Sequence, residues 1–183
     1  MNGQALVKAC LKGDSSAQKR LYDMYAAQMM GICYRYTKSV HDAEDVLQEG
    51  FIKVFQHLNQ YNKSGELGAW IRRIMVNSAL AGLKKKAAYS SEMLIQEDHM
   101  HLVSDENPDI NIQVKELIEL IRQLPPGYQT IFNLHAIDGF THTEIGTMLG
   151  ISESTSRSQY MRARIILITW LKKPDEHKKT SYA

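Results

Sequence analysis

Apolar residues recur every three or four positions through most of the chain, and no stretch alternates apolar with polar as a half-buried strand would. Helix formers dominate, so the pattern predicts an all-α fold. In HDAEDVLQEGFIKVFQHL, residues 41–58, Leu47, Phe51, Val54 and Leu58 share one helical stripe, and Asp45, Gln48, Glu49, Ile52 and Gln56 share another. The second stripe mixes carboxylates with an outward isoleucine. It suits either a docking face for a basic or mixed partner or a solvated acidic face with one stray apolar residue. A second amphipathic stretch, AWIRRIMVNSALAGL, runs into Lys84, Lys85 and Lys86.

The most informative run is FTHTEIGTMLGISESTSRSQYMRARIIL, residues 140–167. Thr141 followed by Glu144 is a capping box, and Ile145, Met148 and Leu149 give the short helix one apolar side. Gly150 is placed to end that helix in the left-handed conformation, and Ser152 to cap the next. In the second helix Ser156, Tyr160, Ala163, Leu167 and Trp170 form a stripe expected to face a core. Arg157, Ser158, Met161, Arg162 and Ile165 form one expected to face outward. Hydroxyl, thioether and guanidinium groups on the outward stripe fit a recognition helix in the major groove, although a solvated amphipathic helix in an ordinary bundle shows the same period.

Composition narrows the class. At 183 residues, 44% hydrophobic and 23% charged, the chain has room for one or two compact domains. Residues 1–30 lack the apolar core of a signal peptide, and no segment approaches the ~20 apolar residues of a membrane span, so neither export nor membrane insertion is expected. Cys10 and Cys33 are too few for a disulfide framework or a zinc site, which points to a reducing cytoplasm. The net charge of +2 conceals an uneven distribution: +1 over residues 1–61, +5 over 62–88, −6 over 89–124 and +2 over 125–183. The basic block suits a phosphate backbone. The following YSSEMLIQEDHMHLVSDENPDIN is acidic and poor in period, the mark of a linker. Boundaries are therefore placed at 1–88 and 112–173 for two domains, 89–111 for the linker and 174–183 for a polar tail.

Between the acidic and basic helices lies NQYNKSGELGAW, residues 59–70. Tyr61, Asn62, Lys63 and Ser64 offer an aromatic face, amide edges and a cation, the groups that hold an unstacked base. The alternative is a plain interhelical loop with Tyr61 packed on a helix. His41, Asp42, Glu44, Asp45 and Glu49 lie near one another in sequence, but no second set of ligands completes a metal site. No cofactor and no catalysis are expected.

In this order, an acidic helix, a loop, WIRRIMVNSALAGLKKK, an acidic linker, LPPGYQTIFNLHAIDGFTHTEIGTMLGIS and an arginine-bearing helix, the chain resembles the two-domain extracytoplasmic-function (ECF) class of bacterial sigma factors over nearly its whole length. The resemblance implies a first domain that reads and opens the promoter −10 element and a second that reads the −35 element, both on core RNA polymerase. Asp45, Gln48, Glu49 and Ile52 would dock on the β′ clamp helices, and the β flap would be a further contact on core polymerase. Tyr61, Asn62, Lys63 and Ser64 would capture a base of the melted strand. Arg72, Arg73, Asn77, Lys84 and Lys85 would meet −10 DNA. Arg157, Ser158, Met161 and Arg162 would line the −35 major groove. The linker would thread the polymerase cleft, and an anti-sigma factor, often anchored in the inner membrane, would cover both domains. The chain departs from its relatives at Ala81, where they often have an acidic residue, at Ser156, where they often have Val, and at Gln159, where they often have Arg. A helix-turn-helix regulator that binds DNA alone is the competing class; it has no need of the acidic docking helix.

Overall fold

The computed structural model describes residues 3–62, 65–92 and 112–172. Lys63, Ser64, most of the acidic linker and the polar tail lie outside them. The described residues are helical with no strand, and the chain divides into two compact units, residues 1–105 and 106–183.

In the first unit, α1 (Gly3–Leu11) leads to α2 (Ser15–Tyr36), whose first turn is capped by Asp14. The Asp14 carboxylate accepts from the backbone N–H of Ser16 at 2.9 Å and of Ala17 at 3.2 Å. Ser39 caps α3 (Val40–His57) through the N–H of Asp42, and a 3-10 turn, Leu58–Gln60, follows. The last helix of the unit among the described residues, α4, spans Leu67–Glu92. Helices α2, α3 and α4 pack pairwise, with α1 against α2. Leu47, Phe51, Val54 and Leu58 are all buried, as their shared stripe requires, and so are Leu21 and Met29 of α2 and Ile71, Met75 and Val76 of α4, the helices packed against α3. Tyr22 caps this core at 4.6 Å from the Phe51 ring, and Lys53 Nζ donates to the buried Ser78 hydroxyl across α3 and α4.

Helix α4 runs through Tyr89, Ser90 and Ser91, residues whose composition placed them in the linker. Polar content alone does not end a helix, and neither Gly nor Pro follows Gly82 within α4. The periodicity had not singled out α1 and α2 either. Helix α2 exposes Met24 to 63% while burying Ala17, which blurs the apolar stripe.

The second unit comprises α5 (Ile112–Gln123), α6 (Pro126–Phe132), α7 (His142–Leu149) and α8 (Glu153–Lys172). Pro126 sits at the start of α6, where its missing N–H costs nothing. Helix α6 ends in a π turn, Asn133–Ile137, closed by the N–H of Asp138 on the Asn133 carbonyl. Ile121, Leu124, Ala163 and Leu167 form the core, with Tyr128, Phe132, Ile166 and Trp170 packed around it.

The corner between α7 and α8 is built as its residues require. Thr141 and Glu144 exchange both bonds of the capping box, and Gly150 ends α7 at φ 71°. The Ser152 hydroxyl accepts from Thr155 N–H at 3.0 Å. A Cβ on Gly146 would lie 2.8 Å from the Ile151 carbonyl oxygen. Gly146→Ala is therefore expected to destabilise the protein by about 1–3 kcal/mol, since backbone on both sides must yield. Urea unfolding followed by circular dichroism checks this, and an unchanged midpoint would show that the corner can open at little cost.

Candidate functional site

Three surfaces carry the candidate residues, two on the first unit and one on the second. On α3, Asp45, Gln48, Glu49 and Ile52 are all exposed, and because 48 and 49 lie three and four residues after 45, and 52 four and three after them, they share a face. Ile52 is 56% exposed, beside carboxylates and an amide. A cleft of about 280 Å³ runs beside this face between α3 and α4. Val46, Ala79, Gly82 and Leu83 supply apolar lining, Asp42, Asp45 and Glu49 line it with carboxylates, and Lys38 and Lys85 contribute cations.

Helix α4 divides its polar residues. Arg73, Asn77 and Lys84 are exposed and within one quarter of the helix circumference. Arg72 is half-buried and points about a quarter-turn from Arg73. Lys85 lines the cleft with Asp45 and Glu49, so the two neighbouring lysines serve different faces. Tyr61 is half-buried, its ring 5.7 Å from Trp70 and its hydroxyl donating to the Gly65 carbonyl at 2.6 Å. The aromatic of the loop is thus part of the loop's own framework, while Asn62 is exposed.

In the second unit the outward stripe of α8 is exposed along its length. Arg157, Ser158 and Arg162 face solvent, Met161 is 50% exposed and Ile165 59%. The core stripe is buried at Ser156, Ala163 and Leu167, with Tyr160 and Trp170 half-buried. Two of the outward groups are held by their own helix. Ser158 Oγ donates to the Thr155 carbonyl at 3.0 Å. Arg157 donates from Nε at 2.9 Å and from Nη2 at 2.6 Å, both to Glu153 Oε1. The other oxygen, Oε2, accepts from Thr143 Oγ1 of α7 at 2.8 Å. Hydrogen bonds from Arg157 and then Thr143 hold the exposed Glu153 carboxyl below its usual range.

Behind this face lies a pair of histidines that periodicity did not reveal. His135, on the π turn, stacks on His142 with ring centroids 4.0 Å apart, and Tyr160 meets His135 edge-on at 4.7 Å. His135 Nδ1 lies 2.8 Å from the Phe140 carbonyl, which can only accept, so that nitrogen carries its proton. His142 Nδ1 and Ser156 Oγ share a 2.9 Å hydrogen bond. This bond gives the departure at Ser156 its physical reason: the buried hydroxyl is paired, and a valine there would leave the imidazole nitrogen without that partner. The departure at Gln159 has a local setting too, because its Oε1 packs 3.2 Å from the place of a Cβ on Gly127. Among the described residues, no group of three His, Cys, Asp or Glu is arranged to hold a metal ion.

These surfaces sit in regions that match known families. Residues 21–89 match the model of Sigma-70 region 2, and residues 115–167 match Sigma-70, region 4. The chain belongs to the ECF class of bacterial RNA polymerase sigma factors. It is 28% identical over 169 residues to the ECF RNA polymerase sigma factor SigW of Bacillus subtilis, covering 86% of this chain and 90% of that protein. It is 30% identical over 168 residues to SigE of Mycolicibacterium smegmatis, covering 88% of this chain and 65% of the longer relative. Its fold is similar to RpoE of Bartonella quintana, solved with the anti-sigma factor NepR, at TM-score 0.57 and 18% identity over 85% of this chain and 97% of that one. CnrH, solved with the cytosolic domain of CnrY, gives TM-score 0.51 and 19% identity over 92% of this chain and 96% of that one.

The histidine pair makes a testable statement about region 4 of this sigma factor. Burial, then the neighbouring His135 and Arg157, hold the His142 imidazole below its ordinary value of 6.5, with Glu153 opposing. Above that value neither the folded nor the unfolded chain carries the proton. As pH falls through it the unfolded chain binds the proton first, so this group makes folding less favourable toward acid. His142 is expected to titrate below 6.5 by NMR in the full chain, and His135→Gln should move that titration upward. A midpoint at or above the ordinary value, or one unmoved by His135→Gln, would contradict the coupling.

Proposed function

We propose that the chain works as an ECF-type sigma factor with its labour divided among these faces: it binds core RNA polymerase, directs it to specific promoters and helps open the −10 region. The observation that carries this reading is the α3 face. Asp45, Gln48, Glu49 and Ile52 are a mixed acidic and apolar surface for a basic protein partner, which the β′ clamp helices supply, and a regulator that binds DNA alone has no use for it. Arg73, Asn77 and Lys84 approach −10 DNA from α4, with Arg72 and Lys85 at the borders of that surface. Tyr61, Asn62, Lys63 and Ser64 form the loop that receives a base once it has left the stack. Tyr61, its ring 5.7 Å from Trp70, would supply an aromatic wall for that base. Arg157, Ser158, Met161 and Arg162 face the −35 major groove, and the second unit meets the β flap.

No helix among the described residues is long and apolar enough to cross a membrane. The site of action is the cytoplasm, where the promoter is, and an anti-sigma factor covering both units is the regulatory partner that family membership implies. The decisive measurement is whether the purified chain with core polymerase starts specific transcripts that core alone does not. Tight sequence-specific binding of the free chain to promoter duplex at physiological salt would favour the stand-alone regulator.

Two variants test the division of labour. Asp45→Lys combined with Glu49→Lys should abolish binding to core polymerase and leave the helical circular dichroism intact, because both residues are exposed and turned to the same face. A fluorescence titration with unchanged affinity would remove α3 from the interface. Tyr61→Ala with Asn62→Ala should spare −35 binding and prevent strand opening, with a pre-melted −10 bubble restoring the complex. Permanganate footprinting reads this directly, and normal opening of the closed duplex would rule out base capture by the loop.

A further inference from the structure

Glu153 lies in the first turn of α8, on the surface that should approach DNA, where a carboxylate is repelled by phosphate. Its two oxygens are occupied from different elements: Oε1 by Arg157 of the same helix and Oε2 by Thr143 of α7. We infer that Glu153 is a positioning residue for promoter recognition, a buttress that holds the Arg157 guanidinium in one orientation so that it discriminates among bases. The inference rests on the proposed −35 role of Arg157.

The geometry of the guanidinium supports it. Glu153 engages the side made by Nε and one N–H of Nη2. The remaining edge, Nη1 with the second N–H of Nη2, is the parallel fork that matches the O6 and N7 acceptors of guanine, and the ion pair does not consume it. An arginine without this brace would explore many rotamers on a surface where its side chain is 64% exposed. It could then contact phosphate as readily as a base edge. Held at Nε, its plane is fixed relative to the helix axis, and the Thr143 bond fixes the carboxylate in turn. Threonine, glutamate and arginine thus form a chain from the scaffold helix to the reading edge, in which each link is 2.9 Å or shorter. Glu153 precedes Arg157 by four residues, the favoured order for a helical ion pair.

This role predicts opposite effects on affinity and on discrimination. Removing a carboxylate from a DNA-facing surface should raise affinity for all sequences alike. Removing a buttress should lower the preference for one base pair over the others. The experiment uses holoenzyme made from the full chain and core polymerase, with promoter duplexes randomised in the −35 element, the bound fraction being sequenced. Arg157→Ala should reduce the preference at one position by about tenfold or more, the worth of a lost bidentate base contact. Glu153→Ala should reduce preference at that same position by about threefold to tenfold while overall binding is maintained or increased. Glu153→Gln keeps an oxygen for Arg157 and should retain most of the preference. Thr143→Val should show a smaller loss at the same position. In the Arg157→Ala background Glu153→Ala should change no preference further.

Three results would overturn the inference. If Glu153→Ala changes affinity for all sequences equally and leaves preference intact, the residue contributes only charge. If it alters preference equally with Arg157 absent, it reads DNA without the arginine. If Arg157→Ala itself leaves preference unchanged, the assigned role of Arg157 fails, and the buttress with it; the first two outcomes leave that role standing. Circular dichroism of each variant separates these outcomes from loss of fold.

Discussion

The Ile151 carbonyl oxygen lies 2.8 Å from where a Cβ on residue 146 would stand, so the corner between α7 and α8 closes this tightly only around glycine. The closeness sets what the two helices can share. With Gly150 turning the chain at φ 71°, the first turn of α8 comes within hydrogen-bonding reach of α7. Thr143 then meets Glu153, and His142 meets Ser156. A wider corner would keep both helices and lose both bonds, because a hydrogen bond weakens within a few tenths of an ångström beyond ordinary length. The caps decide where each helix starts. The glycine decides what its first turn touches.

The same economy explains why the core beside the corner is partly polar. Leu167 and Ala163 are conventional core residues, but on the same stripe the buried Ser156 meets the half-buried His142, which stacks on the half-buried His135. A buried hydroxyl without a partner costs about 1–3 kcal/mol, so Ser156 is tolerable only because His142 accepts or donates to it. The π turn at Asn133–Ile137 serves that arrangement. By inserting an extra residue into the end of α6 it presents His135 toward His142 and closes on Asp138 and Phe140 through main-chain bonds. The outward face of α8 is therefore backed by directional bonds as well as by apolar packing, which restricts how α8 can rotate.

Particular residues show what sequence can and cannot convey. The capping box at Thr141, the left-handed Gly150 and the buried stripes of α3 and α8 follow from local rules, and each stands as its residue type demands. Helix α2 was not legible because its apolar residues are spread around the axis, and only Asp14 followed by two serines marked its start. The end of α4 was misplaced because acidity and serine content suggest a linker without stopping a helix. The candidate surfaces divide in the same way. That Asp45, Gln48, Glu49 and Ile52 share a face is a consequence of helical period alone. That Lys85 lines a cleft with two of those carboxylates, and that Tyr61 leans on Trp70, depends on how α3, α4 and their loop meet in space. Glu153 was readable four residues before Arg157, but its second bond to Thr143 needed the corner.

The placement of Lys85 has an electrostatic consequence for the first unit. Asp45 and Glu49 line the same cleft as Lys85, so carboxylates of α3 offset the positive charge on that side of α4. Arg73, Asn77 and Lys84 lie on another side of the helix and keep their own short-range contacts. A basic partner seated on Asp45 and Glu49, as proposed, would neutralise those carboxylates and leave α4 more positive toward phosphate. The acidic face and the basic face of one small bundle are for this reason not independent. Under the roles proposed for these faces, docking on α3 would raise the DNA affinity of α4 through charge alone, with no movement of the backbone required.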